Sequence, residues 1–136
     1  MTYFTRATTA AGVLLAAAGL LAAGPAHAVS RDVPGNWLYL TVTKGDARSN
    51  DTHAALLMCD PPRGHARAAE ACADLSATDG DVGRIPPKDV VCPMIYSPVT
   101  VHARGQWNKR TVDFQETYAS PCVMKARTGS VFALDD

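Results

Sequence analysis

From Trp37 to Thr43 apolar residues fall on every second position, with Leu38, Leu40 and Val42 sharing one face. A two-residue period of this kind predicts a strand with one buried side. Lys44 to Asn50 is polar and turn-rich, and Ala54 to Met58 is a second apolar run that ends at Cys59. Asp60-Pro61-Pro62-Arg63-Gly64 stops that strand. Between His65 and Ala77 the period changes to helical, placing Ala68, Cys72 and Leu75 on one side. Thr78 to Gly83 reads as a turn-rich gap, and Ile85-Pro86-Pro87-Lys88-Asp89 permits at most a short helix starting at the prolines. Val99 to Ala103 alternates as a strand, and a turn near Arg104-Gly105 leads into Thr111 to Tyr118, where Val112, Phe114 and Tyr118 face inward. Ser130 to Leu134 reads as a short last strand. The expected fold is α+β, a five-stranded antiparallel sheet packed with one or two helices.

Between the second proline pair and the third strand lies Cys92-Pro93-Met94-Ile95-Tyr96-Ser97-Pro98, an apolar run held between two prolines. Each proline fixes its own φ near −65° and biases the preceding residue toward extended geometry. The run is therefore pushed toward a stiff, strand-like segment. If Cys92 is bonded elsewhere, it becomes a braced loop presenting Met94, the shape a protease cleft accepts.

The first residues set the compartment. Arg6 precedes an Ala/Leu-rich run from Ala10 to Ala23, Gly24-Pro25 breaks it, and Ala26-His27-Ala28 fits a small-x-small cleavage site. Residues 1–28 read as a secretory signal peptide cut after Ala28, because the run is too short for a membrane anchor and carries a processing site. Subtracting 28 residues from 136 leaves 108 (Val29 to Asp136), enough for one domain and not two. Its first residues, Val29 to Asn36, read as a flexible terminus.

Removing Arg6 takes Lys+Arg from 13 to 12 against 13 Asp+Glu, a formal charge of −1. A near-neutral chain without a basic patch gives no footprint for nucleic acid or for an anionic membrane. All four cysteines (Cys59, Cys72, Cys92, Cys122) lie beyond the signal. An even count in a small secreted domain implies disulfides, and four cysteines allow three pairings, of which the sequential one closes the smallest loops. No C-x-x-C occurs, and His53, His65 and His102 show no ligand spacing, so neither a metal nor any other cofactor is expected. Neither G-x-S-x-G nor H-E-x-x-H is present, and no acid, base and nucleophile converge, so no enzyme is expected. Trp107 reads as a packing residue or hairpin tip, and Asn50-Asp51-Thr52 matches a glycosylation acceptor.

With these pieces in order, the chain resembles the subtilisin inhibitor-like family, the Streptomyces subtilisin inhibitor type. Tyr39-Leu40-Thr41-Val42, Cys72-Ala73-Asp74-Leu75, the Cys92-to-Pro98 element, Trp107, Cys122 and Gly129-Ser130-Val131-Phe132 carry the resemblance, the proline-bracketed element most specifically. The resemblance implies a secreted, homodimeric inhibitor of subtilisin-like serine proteases, with two helices and disulfides Cys59–Cys72 and Cys92–Cys122; Met94 as the primary residue extends the expected targets to chymotrypsin-like enzymes. The resemblance also implies a reactive bond at Met94-Ile95, with Cys92, Pro93, Tyr96, Ser97 and Pro98 as the flanking protease contacts. The chain departs from the family's usual pattern at two places. Ser120-Pro121 stands where relatives usually carry Asn-Glu, whose Asn supports the loop, and Arg104-Gly105-Gln106 stands where relatives often carry Asp-Gly. The first departure implies a loop that is slowly cut. It also motivates the alternative of a secreted binding or substrate protein that has lost tight inhibition.

Overall fold

The computed structural model describes residues 35–45, 48 and 51–135. The expected signal peptide, the first residues after it and Asn50 lie outside them. Four strands, β1 (Trp37–Lys44), β2 (Thr52–Cys59), β4 (Val99–Trp107) and β5 (Arg110–Tyr118), and a two-residue β3 (Pro62–Arg63) form one antiparallel sheet in the order β3-β2-β1-β4-β5. Among the described residues two helices, α1 (Ala68–Ala77) and α2 (Pro121–Thr128), accompany it, with a 3₁₀ turn at Val82–Arg84. No helix among the described residues is long and apolar enough to cross a membrane.

The period-2 pattern of β1 does what it predicts: Leu38, Leu40 and Val42 are buried. In register beside them lie Leu57 of β2, Val101 and Ala103 of β4, and Phe114 of β5. Ala71, Cys72 and Leu75 of α1, Met124 of α2 and Phe132 close the core over this face. Burying each large aliphatic side chain contributes about 1.5–3 kcal/mol before entropy is counted. Cys59 at the end of β2 is joined to Cys72 on the buried stripe of α1, which staples that helix to the sheet.

Four elements differ from the expectation. Arg104-Gly105 is not a turn but the middle of β4. A Cβ on Gly105 would lie 2.1 Å from the carbonyl oxygen of Trp37, so the glycine serves a close strand–strand approach. The hairpin turns instead at Asn108 and Lys109, both at positive φ (46° and 64°), as a two-residue primed turn requires. Ser130 to Leu134 is not a strand either. Val131, Phe132 and Ala133 are buried in succession rather than alternately, and Val131 and Ala133 donate to Thr128 and Ser130 in local turns. A short apolar run cannot be assigned by periodicity alone. The fifth strand is Pro62–Arg63, which folds back on Met58 and Cys59. Finally, no helix begins at Pro86-Pro87. The second helix is α2, opened by Ser120, whose hydroxyl accepts from the Val123 amide at 3.2 Å, and by Pro121 in its first turn.

Candidate functional site

Residues 86–98 run from the 3₁₀ turn to β4 without helix or strand. Side chains along this stretch are turned outward: Val91 is 99% exposed, Met94 103%, Ile95 68% and Tyr96 80%. From Val90 to Val101 no residue carries a full charge. A contiguous apolar, uncharged peptide held in solvent marks an interaction surface. It persists because it is fastened, not because it packs.

The fastenings lie on both sides of Met94-Ile95. Cys92 is bonded to Cys122 in the first turn of α2. The Ser97 amide donates to the carbonyl of Ala119 at 2.9 Å, just before that helix. The Pro98 carbonyl accepts from the Gly45 amide at 2.7 Å, and upstream the Lys88 amide donates to the Ala126 carbonyl in the last turns of α2 at 2.8 Å. The latter bond satisfies one of the carbonyls that a helix end leaves without a partner. Between Cys92 and Ser97, among the described residues, no backbone group makes an internal hydrogen bond. The amides and carbonyls around Met94 and Ile95 are thus free to pair with an edge in another protein.

Where the loop ends, Val99 at the start of β4 pairs with Tyr118 of β5. Burial, and then the neighbouring Glu116 carboxylate, push the Tyr118 hydroxyl up to about 12. It stays protonated and donates to Glu116 Oε2 at 3.2 Å.

All the residues expected to form the loop occur on this one segment, and both expected disulfides are present. Ser120, however, is buried and spends its hydroxyl as the N-cap of α2. Among the described residues it makes no side-chain bond to the loop. Two features escaped the sequence reading. One is α2 itself, the buttress to which Lys88, Cys92 and Ser97 are tied. The Ser-Pro opening and the Gly129 that follows its last residue are the start and stop signals that would have found it. The other is Val90-Val91, exposed apolar residues lying outside the proline bracket.

A small disulfide-braced α+β domain that holds out one stiff, apolar peptide is a scaffold for binding another protein. Residues 34–120 match the subtilisin inhibitor-like family, and the chain belongs to it. It is 56% identical over 126 residues, 92% of this chain and 86% of the relative, to a Streptomyces avermitilis protein named "Putative serine protease inhibitor". It is 38% identical over 120 residues, 85% of this chain and 83% of the relative, to the "Subtilisin inhibitor" of Streptomyces albogriseolus. Among solved structures it is similar to Streptomyces caespitosus sermetstatin in complex with Bacillus licheniformis subtilisin, at a TM-score of 0.57 and 38% identity, covering 71% of this chain and 96% of that one.

Proposed function

We propose that this chain is a secreted serine protease inhibitor that offers Met94-Ile95 to subtilisin-like proteases as a substrate-like bond it releases only slowly. The observation that carries this reading is the wholly exposed Met94 side chain on a backbone without internal hydrogen bonds, fixed at Cys92 on one side and Ser97 on the other. The family consists of protease inhibitors rather than enzymes.

The chemistry follows from pre-organisation. A flexible peptide loses about 0.5–1.5 kcal/mol for each side chain it orders on binding, whereas this segment is ordered beforehand. Met94 enters the primary pocket, and its unbranched, polarizable side chain suits a roomy apolar one. That favours subtilisin-like and chymotrypsin-like enzymes. A trypsin-like pocket would keep its carboxylate buried without a cation, which is costly. Should the protease cut Met94-Ile95, the Cys92–Cys122 bridge and the Ser97–Ala119 bond keep both new ends in place. The new amine then remains at high effective concentration beside the acyl group, and religation competes with hydrolysis.

Secretion is supported by the pattern of residues 1–28 and by two disulfides. A homodimer is supported by the outer sheet face, where Tyr39 and Leu56 sit opposite each other and remain 47% and 40% exposed. Titration of subtilisin with the purified chain tests the function. One-to-one tight inhibition per subunit is the expected result. Rapid cleavage would favour the alternative of a substrate or binding protein on the same scaffold, and absence of any effect would reject a role against subtilisin.

A further inference from the structure

Two sequence elements that lie outside the exposed loop, Cys72-Ala73-Asp74-Leu75 and Gly129-Ser130-Val131-Phe132, are joined to each other in the structure. Ser130 is buried; its amide donates to Oδ2 of Asp74 at 2.8 Å and its hydroxyl donates to Oε2 of Glu70 at 3.1 Å. Glu70 and Asp74 stand one turn apart on α1, so their two carboxylates grip one residue. Gly129 precedes it at φ +61°, and a Cβ there would lie 2.3 Å from Asp74 Oδ2, so the turn is pressed directly against the carboxylate.

This grip sits at the point where α2 ends. With eight residues α2 is too short to hold its own position, and its place is set by what it touches. Its N-terminal side is tied to the loop through Ala119 and Cys122, and its last turns through Ala126. Its C-terminal side is tied to α1 through Ser130, and α1 is bonded to β2 by Cys59–Cys72. The loop thus hangs from a helix whose far end is held by a second helix. An amide donating to a half-buried carboxylate is among the stronger hydrogen bonds available for that purpose.

We infer that Asp74, assisted by Glu70, is a positioning residue for the inhibitory loop: by holding Ser130 it fixes the placement of α2, and with it the Lys88, Cys92 and Ser97 fastenings. The inference rests on Met94-Ile95 being the reactive bond.

The test compares wild type, Asp74→Ala and Asp74→Asn by amide hydrogen exchange of the free protein and by the rate at which subtilisin cuts Met94-Ile95. In Asp74→Ala the Ser97 and Lys88 amides should exchange about tenfold faster while Leu40 and Val101 change little, and hydrolysis should accelerate about tenfold. Asp74→Asn keeps an acceptor oxygen and should restore both. Loop amides unchanged, acceleration spread evenly over β1 and β4, or loop amides loosened without faster hydrolysis would each overturn the assignment. If Asp74→Ala fails to fold, Asp74→Glu keeps the carboxylate but, one methylene longer, misplaces it from the Ser130 amide. A severalfold effect confined to Ser97 and Lys88 then supports the assignment, and a uniform or absent one overturns it. Cleavage of the wild type at some other bond would sink the reactive-bond reading alone, because the exchange measurement reports on the grip without any protease.

Discussion

The amide of Ser97 donates to the carbonyl of Ala119, so the chain is refastened three residues after Met94 and on the same short helical unit that holds Cys92. Both ends of the exposed peptide therefore refer to α2. A loop tied at both ends to one rigid body has few ways to relax after a cut, which is the property an inhibitor of this kind needs.

Selectivity should follow Met94. Burying a methionine side chain contributes about 1.5–3 kcal/mol, so Met94→Gly should weaken subtilisin inhibition by about tenfold to a hundredfold. Met94→Lys supplies the cation a trypsin-like pocket needs and should create trypsin inhibition without disturbing the brace. Inhibition constants for both enzymes are the measurement. Subtilisin inhibition untouched by Met94→Gly, together with no trypsin inhibition from Met94→Lys, would remove Met94 from the primary pocket.

Removing the Cys92–Cys122 bridge, as Cys92→Ser with Cys122→Ser, should turn the inhibitor into a substrate. The bridge spans 30 residues, and loop-closure entropy assigns it about 3–4 kcal/mol. Against a total of about 5–15 kcal/mol for a typical domain, the variant should still fold at low temperature but melt earlier. Subtilisin should then cut it within minutes, which chromatography of the digest would show; continued tight inhibition would mean that the hydrogen bonds suffice.

The outer sheet face should mediate the proposed dimer. Tyr39 and Leu56 are paired across β1 and β2 and both protrude. Leu56→Glu places a charge in that patch and should give a monomer at micromolar concentration by sedimentation, with inhibition per subunit retained. A wild type that is already monomeric there would rule the dimer out.

What the sequence revealed and what it hid divide along physical lines. β1 was legible because one face is buried and the other wet, so burial writes a period of two into Leu38, Leu40 and Val42. The loop was legible because Pro93 and Pro98 stiffen the backbone wherever they occur. Gly105 misled, since a glycine demanded by strand-to-strand contact with Trp37 looks the same as one demanded by a turn. Val131, Phe132 and Ala133 misled because consecutive burial in local turns mimics a buried strand. α2 went unread because its stripe is thin: Met124 and Thr128 are its buried residues, and only the Ser-Pro start and Gly129 stop mark it.

Acid should loosen the segment that α1 holds. Burial pushes the His65 pKa below its ordinary 6.5; the bond to Val131 opposes this and the Arg67 charge assists it. The neutral ring suits both neighbours, since Nδ1 accepts from the Arg67 amide at 2.9 Å while Nε2 meets the Val131 carbonyl at 3.1 Å. The folded value lies below the unfolded one, so the contribution is full above pH 6.5 and is lost as pH falls through 6.5 toward the folded value. Melting at pH 7.5 and pH 5 should show a smaller drop for His65→Gln than for wild type; equal drops would exclude His65 as the source.

Inhibition should be tight at first and should fade as Met94-Ile95 is slowly cut, because Ser120 gives the loop no side-chain support. Its hydroxyl is committed to the Val123 amide, leaving the Ala119 backbone as the contact on that side. Ser120→Asn offers an acceptor that caps a helix equally well and, on a longer side chain, an amide group that reaches farther than the serine hydroxyl. The helix should therefore keep its start, with stability changed by less than about 1 kcal/mol. The lifetime of the intact bond should lengthen about twofold to tenfold, as one additional hydrogen bond of about 0.5–1.5 kcal/mol to the loop allows. Incubation with sub-stoichiometric subtilisin for days, followed by mass spectrometry, measures both proteins under one condition. If the wild-type bond survives that incubation whole and Ser120→Asn adds nothing, the Cys92 bridge and the Ser97–Ala119 bond are a sufficient brace.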